Sequence, residues 1–62
     1  MNNVLVVIPT YNEIQNISLI INSIFSLYNK INILVIDDNS PDGTSYKVKE
    51  LKNIFKSNLH LI

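Results

Sequence analysis

The sequence predicts an α/β fold with a parallel sheet, in the order β-α-β-α-β. Two short apolar runs rich in β-branched residues, Val4-Leu5-Val6-Val7-Ile8 and Ile31-Asn32-Ile33-Leu34-Val35-Ile36, each stop at a polar cluster. Runs of this kind read as strands buried on both faces. Apolar residues recur at helical steps between and after them, and Leu59-His60-Leu61-Ile62 begins a third run. Strands alternating with helices over connections this short imply parallel pairing through right-handed crossovers.

Each element has its own signal. Pro9 is expected to halt the first strand. Asn12 with Gln15 forms a capping pair for a helix over roughly Glu13 to Tyr28, whose apolar face carries Ile14, Ile17, Ile21, Ile24 and Tyr28. After Asn29 and Lys30 the second strand runs to Asp37-Asp38. Asn39-Ser40-Pro41-Asp42-Gly43 then holds the strongest turn chemistry and the sole Gly, and Thr44 stands ready to cap a second helix. Val48, Leu51 and Phe55 mark that helix's apolar face, with Ile54 beside it. Ligands of parallel α/β sheets bind outside the carboxyl ends of the strands, where both polar clusters fall.

Composition narrows the function. A chain of 62 residues is one compact unit at most, and it buries only about 60% of its unfolded surface. There is no Cys, and His60 is the only His, so neither a disulfide nor a structural zinc supports the core. Five Lys against five acidic residues give zero formal charge, which removes the electrostatic footprint of a nucleic-acid binder. Lys47, Lys49, Lys52 and Lys56 read as a solvated helix face. No apolar run approaches the roughly 18 residues of a membrane span. Met1-Asn2-Asn3 lacks the positive region of a signal peptide, so the expected location is the cytoplasm or the cytosolic face of a membrane.

Two clusters carry chemistry. Pro9-Thr10-Tyr11-Asn12-Glu13 places an aromatic ring, an amide and a carboxylate in a strand-to-helix loop. The ring can pack on a nucleobase, which contributes about 1–3 kcal/mol per base. Alternatively Tyr11 covers the sheet edge and Glu13 offsets the helix dipole. In the second cluster, Asp37 and Asp38 end an apolar strand and should point to opposite sides of it. One carboxylate can accept N–H groups from a base edge while the other orders the following loop. Asp37 suits either task, including an Asx-type turn to the Ser40 or Gly43 region, and Asp38 is the ligand candidate.

Val6-Val7-Ile8-Pro9-Thr10-Tyr11-Asn12-Glu13 together with Val35-Ile36-Asp37-Asp38-Asn39-Ser40-Pro41-Asp42-Gly43-Thr44 resembles the opening of family 2 glycosyltransferases with the GT-A fold. The Asp-Asp-Asn-Ser-Pro-Asp-Gly-Thr string is most similar to dolichol-phosphate and other polyprenol-phosphate mannosyltransferases. The resemblance covers all 62 residues and implies residues 1–62 of a Rossmann-like nucleotide-sugar-binding domain, truncated before its catalytic half.

What the resemblance implies for the site is a nucleotide pocket lined by Pro9, Tyr11 and Glu13 of the first loop, with Ile36 and Asp38 of the second. Asp38 would face the base, since a carboxylate can pair with the N–H edge of guanine or uracil. The implied reaction passes a hexose, mannose from a GDP-mannose-like donor, to a polyprenyl or dolichyl phosphate. In the family a divalent metal, Mg or Mn, is held by an Asp-X-Asp motif that lies beyond Ile62. Asp37-Asp38 is not that motif, no catalytic residue is assigned, and the segment alone is expected to be inactive. Two other readings compete: a non-catalytic nucleotide-binding or protein-interaction module, and a receiver-like domain. The latter requires an acidic pair after the first strand, where this chain has Pro9-Thr10-Tyr11.

Overall fold

The structure, a computed structural model, describes residues 4–28 and 30–62. Met1 to Asn3, read above for a signal peptide, and Asn29, placed at a helix–strand junction, lie outside the described residues. The chain runs β1 (Val4–Thr10), α1 (Ile17–Leu27), β2 (Ile31–Asp37), α2 (Thr44–Phe55), a 3₁₀ turn (Lys56–Asn58) and β3 (Leu59–Leu61). Both strand pairs are parallel, in the order β1-β2-β3. The predicted β-α-β-α-β order and parallel sheet are therefore present. The register opposes Val4 to Ile31 and Thr10 to Asp37, and Ile33 to Leu59.

One face of this sheet holds the core. Ile33, Val35 and Leu59 are fully buried against Ile17 and Ile21 of α1 and Val48 of α2, with Leu51 nearly so. Burying each such side chain contributes about 1.5–3 kcal/mol. Phe25 and Phe55 stack between the two helices at 4.3 Å. Ile54 is exposed, as its position beside the apolar face of α2 implies.

The expectation that the strands are buried on both faces does not hold. Leu5 and Val7 are 53% and 50% exposed, and β1 alternates half-buried with exposed. The reason is topological. Two successive right-handed crossovers stepping the same way across a sheet put both helices on one side. The other face, with Leu5, Val7, Ile36 and Ile62, stays uncovered, so the unbroken β-branched runs report strand propensity there.

Pro9 lies inside β1 and does not end it. The Thr10 carbonyl accepts from the Asp38 N–H at 3.0 Å, which assigns the residues of Thr10's parity to the ladder with β2. Pro9, of opposite parity, turns its missing donor to the outer edge, where it costs no ladder bond.

Helix α1 begins at Ile17 instead of Glu13. Asn12 is left-handed, with φ 55°, and a turn follows in which the Glu13 carbonyl accepts from the N–H groups of Asn16 and Ile17. The predicted Asn12–Gln15 capping pair does not form, because the Asn12 amide is engaged with the second loop. Ile14 and Tyr28, assigned to the apolar face, are exposed. At the second helix the cap position is Gly43, left-handed at φ 93°, and Thr44 is the first helical residue. Among the described residues no helix is long and apolar enough to cross a membrane.

Candidate functional site

The carboxyl ends of β1 and β2 carry the two polar loops side by side, and the second loop grips the first. Three consecutive backbone amides are taken by side-chain oxygens: Asn12 N–H donates to Ser40 Oγ at 2.9 Å, Glu13 N–H to Thr44 Oγ1 at 3.0 Å, and Ile14 N–H to Asp42 Oδ2 at 3.2 Å. Each hydroxyl in turn donates to a carboxylate, Ser40 to Asp37 Oδ1 and Thr44 to Asp42 Oδ1, both at 2.5 Å. The direction is fixed, because an ionised carboxylate only accepts. The Thr10 hydroxyl also donates to Asp37 Oδ1, at 2.8 Å, while the N–H groups of Ser40 and Thr44 donate to Asp37 and Asp42.

These bonds set the electrostatics. The Ser40 hydroxyl is the main influence holding the Asp37 carboxyl below its ordinary value; burial opposes it, and the Ser40 N–H and the Thr10 hydroxyl add to the lowering. For Asp42 burial pushes upward, and the Thr44 hydroxyl with the N–H groups of Ile14 and Thr44 outweighs it, so that carboxyl too is lowered. Bonds to the charged form are the cause in both cases.

The strand register brings the sequence-predicted residues to one corner. Pro9 pairs with Ile36 in the register, both are exposed, and their parity is that of the uncovered face. Tyr11, 55% exposed, and Asp38, also exposed, follow the opposed pair Thr10 and Asp37. The Asp38 carboxylate makes no hydrogen bond among the described residues, whereas Asp37 is committed to the loop. Glu13 is half-buried beside them, joined to the second loop through its backbone N–H. Left-handed Asn12 and Asn39, both at φ 55°, come directly after Tyr11 and Asp38; Asn tolerates this conformation better than most residues.

Sequence reasoning missed Thr10, Ser40 and Asp42 as a connected set. The signal available was parity: Thr10 shares the buried side of β1 with Ile8, opposite Asp37, where a hydroxyl needs a partner. A cleft of about 390 Å³ lies next to the corner, between Asp37, Asn39, Ser45, Lys49 and the end of β3. A larger concavity, about 660 Å³, lies over the uncovered sheet face and includes neither Tyr11 nor Asp38.

The described residues do not make a site for the divalent metal that the resemblance implies. No group of three or more His, Cys, Asp or Glu gathers among them. Both oxygens of Asp37 and of Asp42 already accept hydrogen bonds, leaving at this corner the carboxylates of Asp38 and Glu13, too few for an ion that needs about six or more oxygen ligands.

Comparison with known proteins gives the same direction. The chain is 41% identical over 58 residues to the polyprenol monophosphomannose synthase of Mycolicibacterium smegmatis, covering 94% of this chain and 22% of that protein. It is 46% identical over 41 residues to the undecaprenyl-phosphate mannosyltransferase of Micrococcus luteus, covering 66% of this chain and 17% of that protein. The chain thus spans about a fifth of the length of these relatives. No solved structure matches it. The family model described as Glycosyl transferase family 2 matches residues 5–62, nearly the whole sequence, and the chain belongs to glycosyl transferase family 2.

Proposed function

We propose that this chain forms the nucleotide-facing strand ends of a transferase that passes mannose from a nucleoside-diphosphate sugar, GDP-mannose or a close analogue, to a polyprenyl phosphate. The observation that carries the reading is the corner itself: the interlocked loops leave an aromatic ring and an exposed carboxylate, Tyr11 and Asp38, together beyond the paired strand ends, with the half-buried Glu13 beside them. The Tyr11 ring packs on the base. Asp38 accepts N–H groups from the base edge, and Pro9 and Ile36 give the pocket an apolar floor beside Glu13. The names of the mycobacterial and Micrococcus relatives support the acceptor and the sugar.

Catalysis asks for more than this corner supplies. Charge develops on the departing diphosphate, and stabilising it is the largest demand on such an enzyme; the metal that serves this purpose in the family has no ligand set among the described residues. Residues 1–62 alone are therefore expected to bind nucleotide without transferring sugar. Two measurements test the reading. Titration of the chain with GDP, UDP and ADP, followed by amide NMR, should move the signals of Tyr11 and Asp38 first and most for GDP. Grafting the chain in place of the aligned segment of the mycobacterial relative should retain mannosyl transfer. A folded chimera without transfer, or a chain whose Tyr11 and Asp38 signals ignore all three nucleotides, would sink the proposal.

A further inference from the structure

Of the two acidic ends of the relay, Asp37 and Asp42, neither points at the exposed corner, yet both hold the backbone from which Tyr11 projects. Asn12 N–H reaches Asp37 through the Ser40 hydroxyl. Glu13 N–H reaches Asp42 through the Thr44 hydroxyl, and Ile14 N–H reaches Asp42 directly. Asn12 adjoins Tyr11, and Asp37 adjoins Asp38. A single hydroxyl, Ser40 Oγ, therefore links the neighbour of the ring to the neighbour of the free carboxylate. The Asp38 N–H closes the same square from the other side by donating to Thr10, whose hydroxyl donates to Asp37.

The geometry points to Ser40 as a positioning residue that fixes the separation of Tyr11 from Asp38, and so the width of base the corner accepts. This inference rests on the proposed nucleotide role of that corner and deepens it. Ser40 itself touches no ligand. Its hydroxyl is required as donor and acceptor at once, a double role that Ala cannot fill and Thr can. Left-handed Asn12 and Asn39 hold a backbone conformation less favourable than the ordinary ones, so without the hydroxyl they are free to relax out of it, and the ring and the carboxylate lose their fixed spacing. Misplacement of a binding group is costly in affinity even where the fold survives.

The test uses the full chain with Ser40→Ala, Ser40→Thr, Asp38→Ala and the Ser40→Ala/Asp38→Ala pair. It reads amide exchange at Asn12, GDP and UDP affinity by NMR titration, and the thermal midpoint. Ser40→Ala should speed Asn12 exchange about tenfold and weaken GDP about tenfold, with Ser40→Thr restoring both. In the Asp38→Ala background, Ser40→Ala should cost nothing more, because the spacing it fixes no longer matters; a purely structural role would cost the same in both backgrounds. Should Ser40→Ala fail to fold, Asp37→Asn weakens the same relay from its acceptor end and is read on the same amide and ligand. Freed Asn12 exchange with undiminished GDP affinity, while Asp38→Ala weakens it, overturns the positioning role and leaves the proposed function standing. A parent chain that binds neither GDP nor UDP overturns both, and Asn12 exchange then reports the relay alone.

Discussion

Thr44→Val separates packing from hydrogen bonding at the most buried polar residue of the chain. Thr44 is fully buried, and Val matches its shape while removing the hydroxyl. A packing account expects no loss, since a methyl replaces a polar group in an apolar setting, a gain of about 0.8 kcal/mol. The structure argues the opposite sign. The hydroxyl accepts the part-buried Glu13 N–H, and stranding such a donor costs about 1–3 kcal/mol. The hydroxyl also serves Asp42. The net expectation is a loss of about 1–2 kcal/mol, or roughly 4–15 °C in midpoint for a domain this small. Thermal unfolding followed by circular dichroism measures it, with Thr44→Ser as the control. That variant gives up a methyl at about 1 kcal/mol but keeps the Glu13 amide slow to exchange. If Thr44→Val melted at or above the parent temperature, or left Glu13 exchange unchanged, the relay would carry no stability and the argument would fail.

Gly43→Ala should cost about 1–2 kcal/mol, because Gly43 sits at φ 93° and an added Cβ would stand 3.2 Å from Ile14 Cδ1; a urea midpoint equal to the parent's would refute this. Asp38→Ala should weaken GDP about 10- to 100-fold with little change in melting, whereas Asp37→Ala should lower the melting point as well, since its carboxylate holds Thr10 and Ser40; reversed outcomes would exchange their roles. Both Asp37 and Asp42 are lowered from 3.8, so they bind fewer protons folded than unfolded. Their stabilisation is complete well above that value and is lost as pH falls through the lowered folded values. The urea midpoint of the parent should fall more steeply on acidification than that of Asp37→Asn/Asp42→Asn, and parallel curves would contradict the assignment.

The sheet and its site edge were legible because their signals are local. Runs of β-branched residues stop where charged clusters begin, and parallel pairing then puts Tyr11 and Asp38 at one edge. Burial was misread on Leu5 and Val7, since a run of apolar residues records strand preference on either face, while the face that is covered depends on where the crossovers pass. Helix α1 was started too early for a related reason. Asn12 and Gln15 match a capping pattern locally, but the amide of Asn12 is taken by Ser40, 28 residues away, and competition of that kind leaves no trace in the surrounding window. The different surroundings of Asp37, bonded into the loop, and Asp38, exposed, followed from strand alternation. The partners of Asp37 did not, because Thr10 comes beside it only through the register of β1 with β2.

The separations within the relay have a consequence for how the chain acquires its shape. Its cross-loop bonds join residues 27 to 31 apart, with all of α1 in between. A helix of local contacts forms in about a microsecond, whereas contacts across a closed crossover wait for that closure. During synthesis the first loop emerges before the second, so Asn12, Glu13 and Ile14 have no acceptors until Ser40, Asp42 and Thr44 follow. The corner is thus made early and finished late. For that interval its three amides stand open to water, to chaperones and to any strand that offers them carbonyls.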